Sequence, residues 1–320
     1  MTKHLKVPKK DAQRYISRMR SADGIDNNYQ IQKGDDFVLI PLKQDITGQE
    51  KMPGSEVVEV EGLQSKIKFL PKEAGGAFDL IGEIAITKIR EEERAMELAR
   101  SLILTHPNIK AVYLDRGITG KYRLRDLKLL SGSEIYLTKY RENGIMFQID
   151  VSKVYFSPRL ATERMLVAKE VMDGETVIDL FAGVGPFALN IAKERDANII
   201  AIDSNPYAIE LLHKNVANNN LRGKITSYCA DSAEKIVEFS GVDRIIMNLP
   251  HEAFSFVTAA KKTLKTGGII NYYEILNVQE LEDRMETFRD MGFELRAKRV
   301  VHGYSKTQSM YSLALRKLRE

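Results

Sequence analysis

The stretch Asp179-Leu-Phe-Ala-Gly183-Val-Gly185-Pro186-Phe187 sets an acid and two glycines ahead of an apolar run. Such a turn lets backbone approach a ligand closely, and the helix that follows offers it a positive N-terminus. A dinucleotide-binding G-x-G-x-x-G turn would use a third glycine for close helix packing and would receive a pyrophosphate. Here Ala188 stands in that place. Pro186 suits a first helical turn, and Phe187 is expected to fill the space a pyrophosphate occupies. Adenosine joined to a sulfonium-bearing amino acid, which has no phosphate, fits such a turn better. Asp203, in "AIDSNP", is placed to take both ribose hydroxyls, and Asp231, in "CADSAE", to meet the adenine amino group. Each acid alone is equally a helix N-cap. All three features in register make S-adenosylmethionine the favoured ligand. Asn248-Leu249-Pro250 follows the next apolar strand, where enzymes that methylate planar nitrogens place an N/D-P-P-x tetrapeptide. Leucine replaces the usual middle proline, and Asn248 also reads as a cap before "HEAFSFV".

These residues need strands to carry them. From residue 160 the apolar segments "TVIDLF", "NIIAID", "ITSYCA", "DRIIMNLP" and "GGIINYYEI" alternate with helical stretches, the pattern of a parallel sheet covered on both faces. The closing pair "FELRAKRVVHGYS" and "MYSLALRKL" has no helix between its members, which implies an antiparallel ending. The reading is an α/β fold: a Rossmann-like class I methyltransferase domain over 156–320, preceded by two small α+β domains. The first, 1–45, contains a basic amphipathic helix in "DAQRYISRMRSADGI" and a strand in "DDFVLIPLK". The polar "KQDITGQEKMPGSE" reads as a linker. The second, 55–155, has strands in "LIGEIAITKI" and "KAVYLD", a helix in "EEERAMELARSLILTH", and a hairpin turning at Asn143-Gly144.

Composition narrows the classes. The 320 residues are 43% hydrophobic, with no apolar run near the roughly 20 residues a membrane span needs. "MTKHLKVPKK" has no apolar stretch of the signal-peptide kind, so a cytoplasmic protein is expected, with no membrane association. A lone cysteine, Cys229, and five scattered histidines offer no ligand spacing, so no metal is expected. Residues 1–20 hold Lys3, Lys6, Lys9, Lys10, Arg14, Arg18 and Arg20 against Asp11 alone. Such a cluster suits a phosphate-rich partner, or simply a solvated helix face.

The motifs "GKYRLRDL" (120–127), "VYFSPRLATER" (154–164), "DLFAGVGPF", "AIDSNPYAIELL" and "MNLP" resemble those of the archaeal and eukaryotic tRNA (guanine-37-N1)-methyltransferases. The resemblance spans nearly the whole chain, is strongest over 120–275, and departs where Ala161-Thr162 replace small residues, commonly Gly-Gly. It implies methyl transfer from S-adenosylmethionine to N1 of guanosine-37, next to the anticodon. Glu163 would take the N1 proton, Arg123 would stabilise charge on O6, and Asn248 would orient the guanine. Tyr155 and Arg159 would border the cofactor, with Asp179, Phe181, Gly183, Gly185, Asp203, Ser204, Asn205, Asp231, Asn248 and Pro250 completing its site. Glu163 near a helix start also has a plain role, complementing the helix dipole for about 0.3–1 kcal/mol. Arg125 is expected to point away from Arg123 and to meet a phosphate or a structural partner. Lys9, Lys10, Arg14 and Arg18 would contact tRNA away from the anticodon loop, at its outer corner, with no obligate protein partner. The alternatives are a wyosine-pathway methyltransferase or aminocarboxypropyltransferase, an NAD-dependent oxidoreductase, and a non-catalytic RNA-binding module.

Overall fold

The computed structural model describes residues 2–21, 24–26, 29, 31–43, 53–60, 78–305 and 307–318, and most of the expected linker lies outside them. Contacts divide the chain into two compact units, Met1–Gly76 with Glu91–Asn108, and Ala77–Arg90 with Ile109–Glu320. In the first unit, β1 (Thr2–Pro8) pairs antiparallel with β3 (Phe37–Pro41) and β4 (Glu56–Val60), and β2 (Gln32–Lys33) borders β3. The sheet thus draws in residues 56–60, beyond the boundary expected at 45. Helix α1 (Ala12–Ser21) buries Tyr15 and Met19, spaced by four, with Leu5, Val7, Val38 and Ile40. Lys10, Arg14 and Arg18 are exposed. The spacing of Arg14 and Arg18 puts them on one face of the helix. Lys9 is exposed too, but its ammonium donates to the carbonyls of Gly34 and Asp35. The side chain of Arg20 lies outside the described residues. Helix α2 (Glu92–Thr105) buries Ala95, Leu98, Ala99 and Leu102, an i, i+3, i+4, i+7 stripe.

The second unit opens with a sheet of β5 (Phe78–Ile81), β6 (Ile84–Thr87), β7 (Ala111–Thr119) and β8 (Leu124–Gly132), in that order. "LIGEIAITKI" is therefore two strands. It breaks at Gly82, whose φ of 56° is left-handed and where a Cβ would overlap the Lys139 carbonyl oxygen. The expected hairpin is present as β9 (Leu137–Glu142) and β10 (Ile145–Asp150), with Asn143 and Gly144 both at positive φ, as a tight two-residue turn requires.

A seven-stranded sheet follows. Its elements are α3 (Ala161–Glu170), β11 (Thr176–Asp179), α4 (Pro186–Glu194), β12 (Asn198–Asp203), α5 (Pro206–Ala217), β13 (Lys224–Cys229), α6 (Ser232–Ile236), β14 (Val242–Met247), α7 (Val257–Thr263), β15 (Leu264–Leu276), α8 (Val278–Asp290), β16 (Phe293–Gly303) and β17 (Ser309–Lys317). The order is β13-β12-β11-β14-β15-β17-β16, with β17 antiparallel to both neighbours. This is the expected class I arrangement. One apolar cluster fills the side covered by α7 and α8, and a second the side covered by α3 and α4. A third joins Ile84, Tyr113, Phe147 and Ile149 to Leu189 and Leu211 of α4 and α5. The boundary expected at 155 is thus crossed by a shared core, to which β6, β7 and β10 contribute Ile84, Tyr113 and Phe147. Among the described residues, no helix is long and apolar enough to cross a membrane, and no cluster of three metal-ligating side chains occurs.

Candidate active site

Strand order reverses between β11 and β14, and in open α/β sheets ligands sit outside the carboxyl ends of strands at such a point. A cleft of about 680 Å³ lies there, within the range of small-molecule sites. Phe181, Asp203, Ser204, Asp231, Ser232 and Leu249 line it from the sheet, and residues 118–123 line it from the β7–β8 turn.

The glycine turn works by conformation. Gly183 and Gly185 have φ of 53° and 88°, and a Cβ on Gly185 would overlap Leu189. The Gly183 N–H donates to Asp203 Oδ2 at 2.7 Å, and Asn205 N–H donates to Oδ1 at 2.9 Å. Each carboxylate oxygen keeps a free lone pair for a hydroxyl. Burial pushes the Asp203 carboxyl up, partly countered by those two N–H groups. Asp231 lines the cleft while accepting the Ala233 N–H at 2.8 Å, so it is both a cap and an available acceptor. Asp179 is fully buried beneath the turn, and burial, with the nearby Asp203 charge, pushes it up to about 7. Tyr155 borders the turn through its carbonyl oxygen, 4.0 Å from where a Gly183 Cβ would stand.

Several residues are placed elsewhere than the cleft. Phe187 packs into the core against Tyr273, rings 5.6 Å apart, so it fills no ligand space; Phe181, with Tyr122 and Phe256, is among the aromatics that line the cleft. The Asn205 side chain caps α5 through Tyr207 N–H and donates to the Lys153 carbonyl, and it does not line the cleft. Arg159 ion-pairs with Asp79 at 2.7 Å and does not line the cleft. Arg125 is buried against Asp79, Asp115 and the Phe156 carbonyl, which is the structural of the two roles expected for it. Strand alternation does not separate it from Arg123, since Arg123 lies in the turn before β8; two strand residues apart would share a face.

Arg123 has the left-handed φ of 54°, a strained conformation for a non-glycine residue, and its guanidinium reaches Glu252 Oε1 at 3.0 Å across the cleft lining. Asn248, after β14, has its amide oxygen buried without a hydrogen-bond partner among the described residues. Such an atom costs about 1–3 kcal/mol until a donor arrives. Pro250 does not line the cleft; its carbonyl accepts from Ile275 N–H.

Glu163 is 5% exposed, in the first turn of α3, and does not line the cleft. Its Oε1 accepts from Tyr273 Oη at 2.9 Å, Ser312 Oγ at 2.7 Å and Arg299 Nη2 at 2.8 Å, and Oε2 accepts Arg299 Nε at 3.2 Å. Burial pushes its carboxyl up, but the Arg299 guanidinium and the two hydroxyls outweigh burial and hold it below the usual range. Nothing local in the sequence marks Arg299, Tyr273, Ser312 or Glu252 as members of the site.

The profile of the TRM5/TYW2 methyltransferase domain matches residues 138–301, and that of the tRNA methyltransferase 5 N-terminal domain matches residues 5–50. The tRNA (guanine(37)-N(1))-methyltransferase Trm5b of Pyrococcus abyssi is 38% identical, over 98% of each chain. A solved complex of aTrm5 with tRNALeu superposes with a TM-score of 0.78 at 29% identity, covering 98% of this chain and 99% of that one. A tRNA(Phe) (4-demethylwyosine(37)-C(7)) aminocarboxypropyltransferase of Pyrococcus horikoshii is 30% identical over 73% of this chain and 83% of its own. With a catalytic-domain profile over half its length and a relative matched end to end, this chain belongs to the TRM5/TYW2 methyltransferase family.

Proposed function

We propose that the protein methylates N1 of guanosine-37 in tRNA, using S-adenosylmethionine. The observation that carries this is one cleft in which Asp203 and Asp231 offer cofactor-type acceptors opposite a fixed cation, Arg123. Asp203 has free lone pairs for ribose hydroxyls, Asp231 an available carboxylate, and Phe181 and Leu249 apolar surface for adenine. The residues therefore fit the cofactor. When bound, it would supply a methyl group on a sulfonium sulfur that departs as a thioether.

The guanine must leave its stack to expose N1. Its N1 proton passes to Glu163, the freed electron pair takes the methyl carbon, and the charge spreading to O6 is met by Arg123, whose planar fork is directional and permanently charged. Asn248 offers its unpartnered oxygen to the guanine edge. The basic face of α1 contacts phosphates elsewhere on the tRNA, as an added module for a large, shape-recognised substrate.

The test is incubation of unmodified tRNA transcript with labelled S-adenosylmethionine and nucleoside analysis. Label in N1-methylguanosine at position 37 is the expected result; label in another nucleoside, or in an aminocarboxypropyl adduct, overturns the reading. Two variants probe its parts. Asp203→Ala removes the acceptor of both ribose hydroxyls and should weaken S-adenosylmethionine binding at least tenfold by calorimetry, at about 1.4 kcal/mol per decade; an unchanged Kd would leave Asp203 a structural acceptor only. Replacing Lys9, Lys10, Arg14 and Arg18 by Ala should weaken tRNA binding and flatten its log-salt slope by roughly 0.7–0.9 for each phosphate that is no longer neutralised. An identical slope would show that this face does not touch RNA.

A further inference from the structure

The seven-stranded sheet builds a second group of side chains, outside the cleft lining, around Glu163. Arg299 enters from β16, the edge strand, and spans α3 lengthwise: Nε and Nη2 fork onto Glu163, and Nη1 reaches Glu170 Oε1 at 3.1 Å. Glu163 and Glu170 are seven residues apart, two turns along one helix face. The guanidinium is thus held at both ends by one helix, and it holds that helix's first acid in return.

The division of donors matters. A carboxylate has about four acceptor positions, two on each oxygen. Among the described residues, Oε1 receives three donors, from Tyr273, Ser312 and Arg299, and is saturated, and Oε2 receives Arg299 Nε alone. We infer that Arg299 is a positioning residue for methyl transfer, orienting the Glu163 carboxylate so that a lone pair of Oε2 is the one acceptor left open for the N1 proton. This rests on Glu163 being the base. The groups that face the carboxylate are Arg299 from β16, Tyr273 from β15 and Ser312 from β17, with Glu170 sharing Arg299 on α3 itself. The next residue, Arg164, turns away to a buried ion pair with Glu142 at 2.5 Å and contributes no donor. A lysine in place of Arg299 would keep the charge and lose the two-point fork.

The direction of the pH effect follows from the same contacts. Arg299 and the hydroxyls hold the Glu163 carboxyl down against burial, which pushes it up. Without the guanidinium, burial dominates, and the carboxylate is protonated at higher pH.

The test is single-turnover methyl transfer by the full chain across pH, with both substrates saturating. Arg299→Met should be slower by up to about 100-fold, since small displacements of a reacting group cost that much. The acid limb of its profile should move to higher pH, while KM for both substrates stays within about twofold. Arg299→Lys, which preserves charge and tests the point even where the methionine variant fails to fold, should lie between it and wild type. An Arg299→Lys rate equal to wild type, or a slow Arg299→Met with an unmoved acid limb, overturns the inference. In a Glu163→Gln background, Arg299→Met should add less than about threefold, because it acts through the carboxylate. A slow Glu163→Gln on which Arg299→Met is fully additive refutes the role of Arg299 alone; a full-rate Glu163→Gln refutes the base assignment beneath it.

Discussion

Glu163→Gln is expected to slow single-turnover methyl transfer by ~10²–10⁴-fold, the usual worth of general-base catalysis. Glutamine keeps the side-chain length and one oxygen, so Tyr273 and Ser312 retain an acceptor, but it cannot take the N1 proton. Cofactor and tRNA affinities should barely change, since Glu163 does not line the cleft that holds Asp203 and Asp231. Raising the pH should recover part of the lost rate as solution removes the proton instead. A stability defect would show no such rescue, and the two are separated by melting curves of the variant. The folded carboxyl lies below its ordinary value. It therefore contributes stability that is present above the unfolded pKa and lost as pH falls through the folded one. The wild type should thus lose stability on acidification where the variant loses less. A Glu163→Gln rate within a few-fold of wild type would reduce the residue to a helix-end acid and require another base.

Arg123→Ala should cost ~10²–10³-fold in the same assay, the range for removing one preorganised charge stabiliser. Arg123→Lys should recover only part of this, because an ammonium lacks the planar fork. The backbone gives an internal control. The left-handed φ of 54° is strained for any side chain but natural for glycine, so Arg123→Gly should be at least as thermally stable as Arg123→Ala while equally inactive. The loss of activity would then be the same in two variants whose stability is not, which fold damage cannot explain. Equal rates for Arg123→Ala and wild type would place the O6 cation elsewhere.

What was legible in the sequence follows from how local each signal is. Strands β11, β12 and β14 are mostly buried and read as short apolar stretches, interrupted in β14 by Asp243 and Arg244. The hairpin at Asn143-Gly144 was visible because its turn demands positive φ at both positions. Asp203 and Asp231 were visible because strand ends in a parallel sheet point at one crevice. The donors to Glu163 were not, because Tyr273, Arg299 and Ser312 are 110, 136 and 149 residues away in sequence. Phe187 and Phe181 illustrate a finer limit: composition marks both as apolar, and only the turn's path decides that one faces core and the other ligand. Arg125 is a similar case, since a cation beside a basic loop reads equally as a phosphate or a structural contact until Asp79 and Asp115 are found around it.

The position of β17 has a consequence for biosynthesis. It occupies the gap between β15 and β16, although it is the last of the three to be made. At roughly 5–20 residues per second on the ribosome, the strands ahead of it emerge first, and β15 waits with an open edge. The acids of the cofactor cleft, on strand ends between 179 and 231, are complete long before. Ser312 arrives with β17 itself, and Arg299 is brought to the carboxylate only when β16 docks on that strand. A nascent chain can therefore assemble its cleft-lining half, with Tyr273 of β15 already beside Glu163, while the carboxylate still lacks Arg299 and Ser312. The full set of donors around Glu163 is completed by the insertion of one late strand.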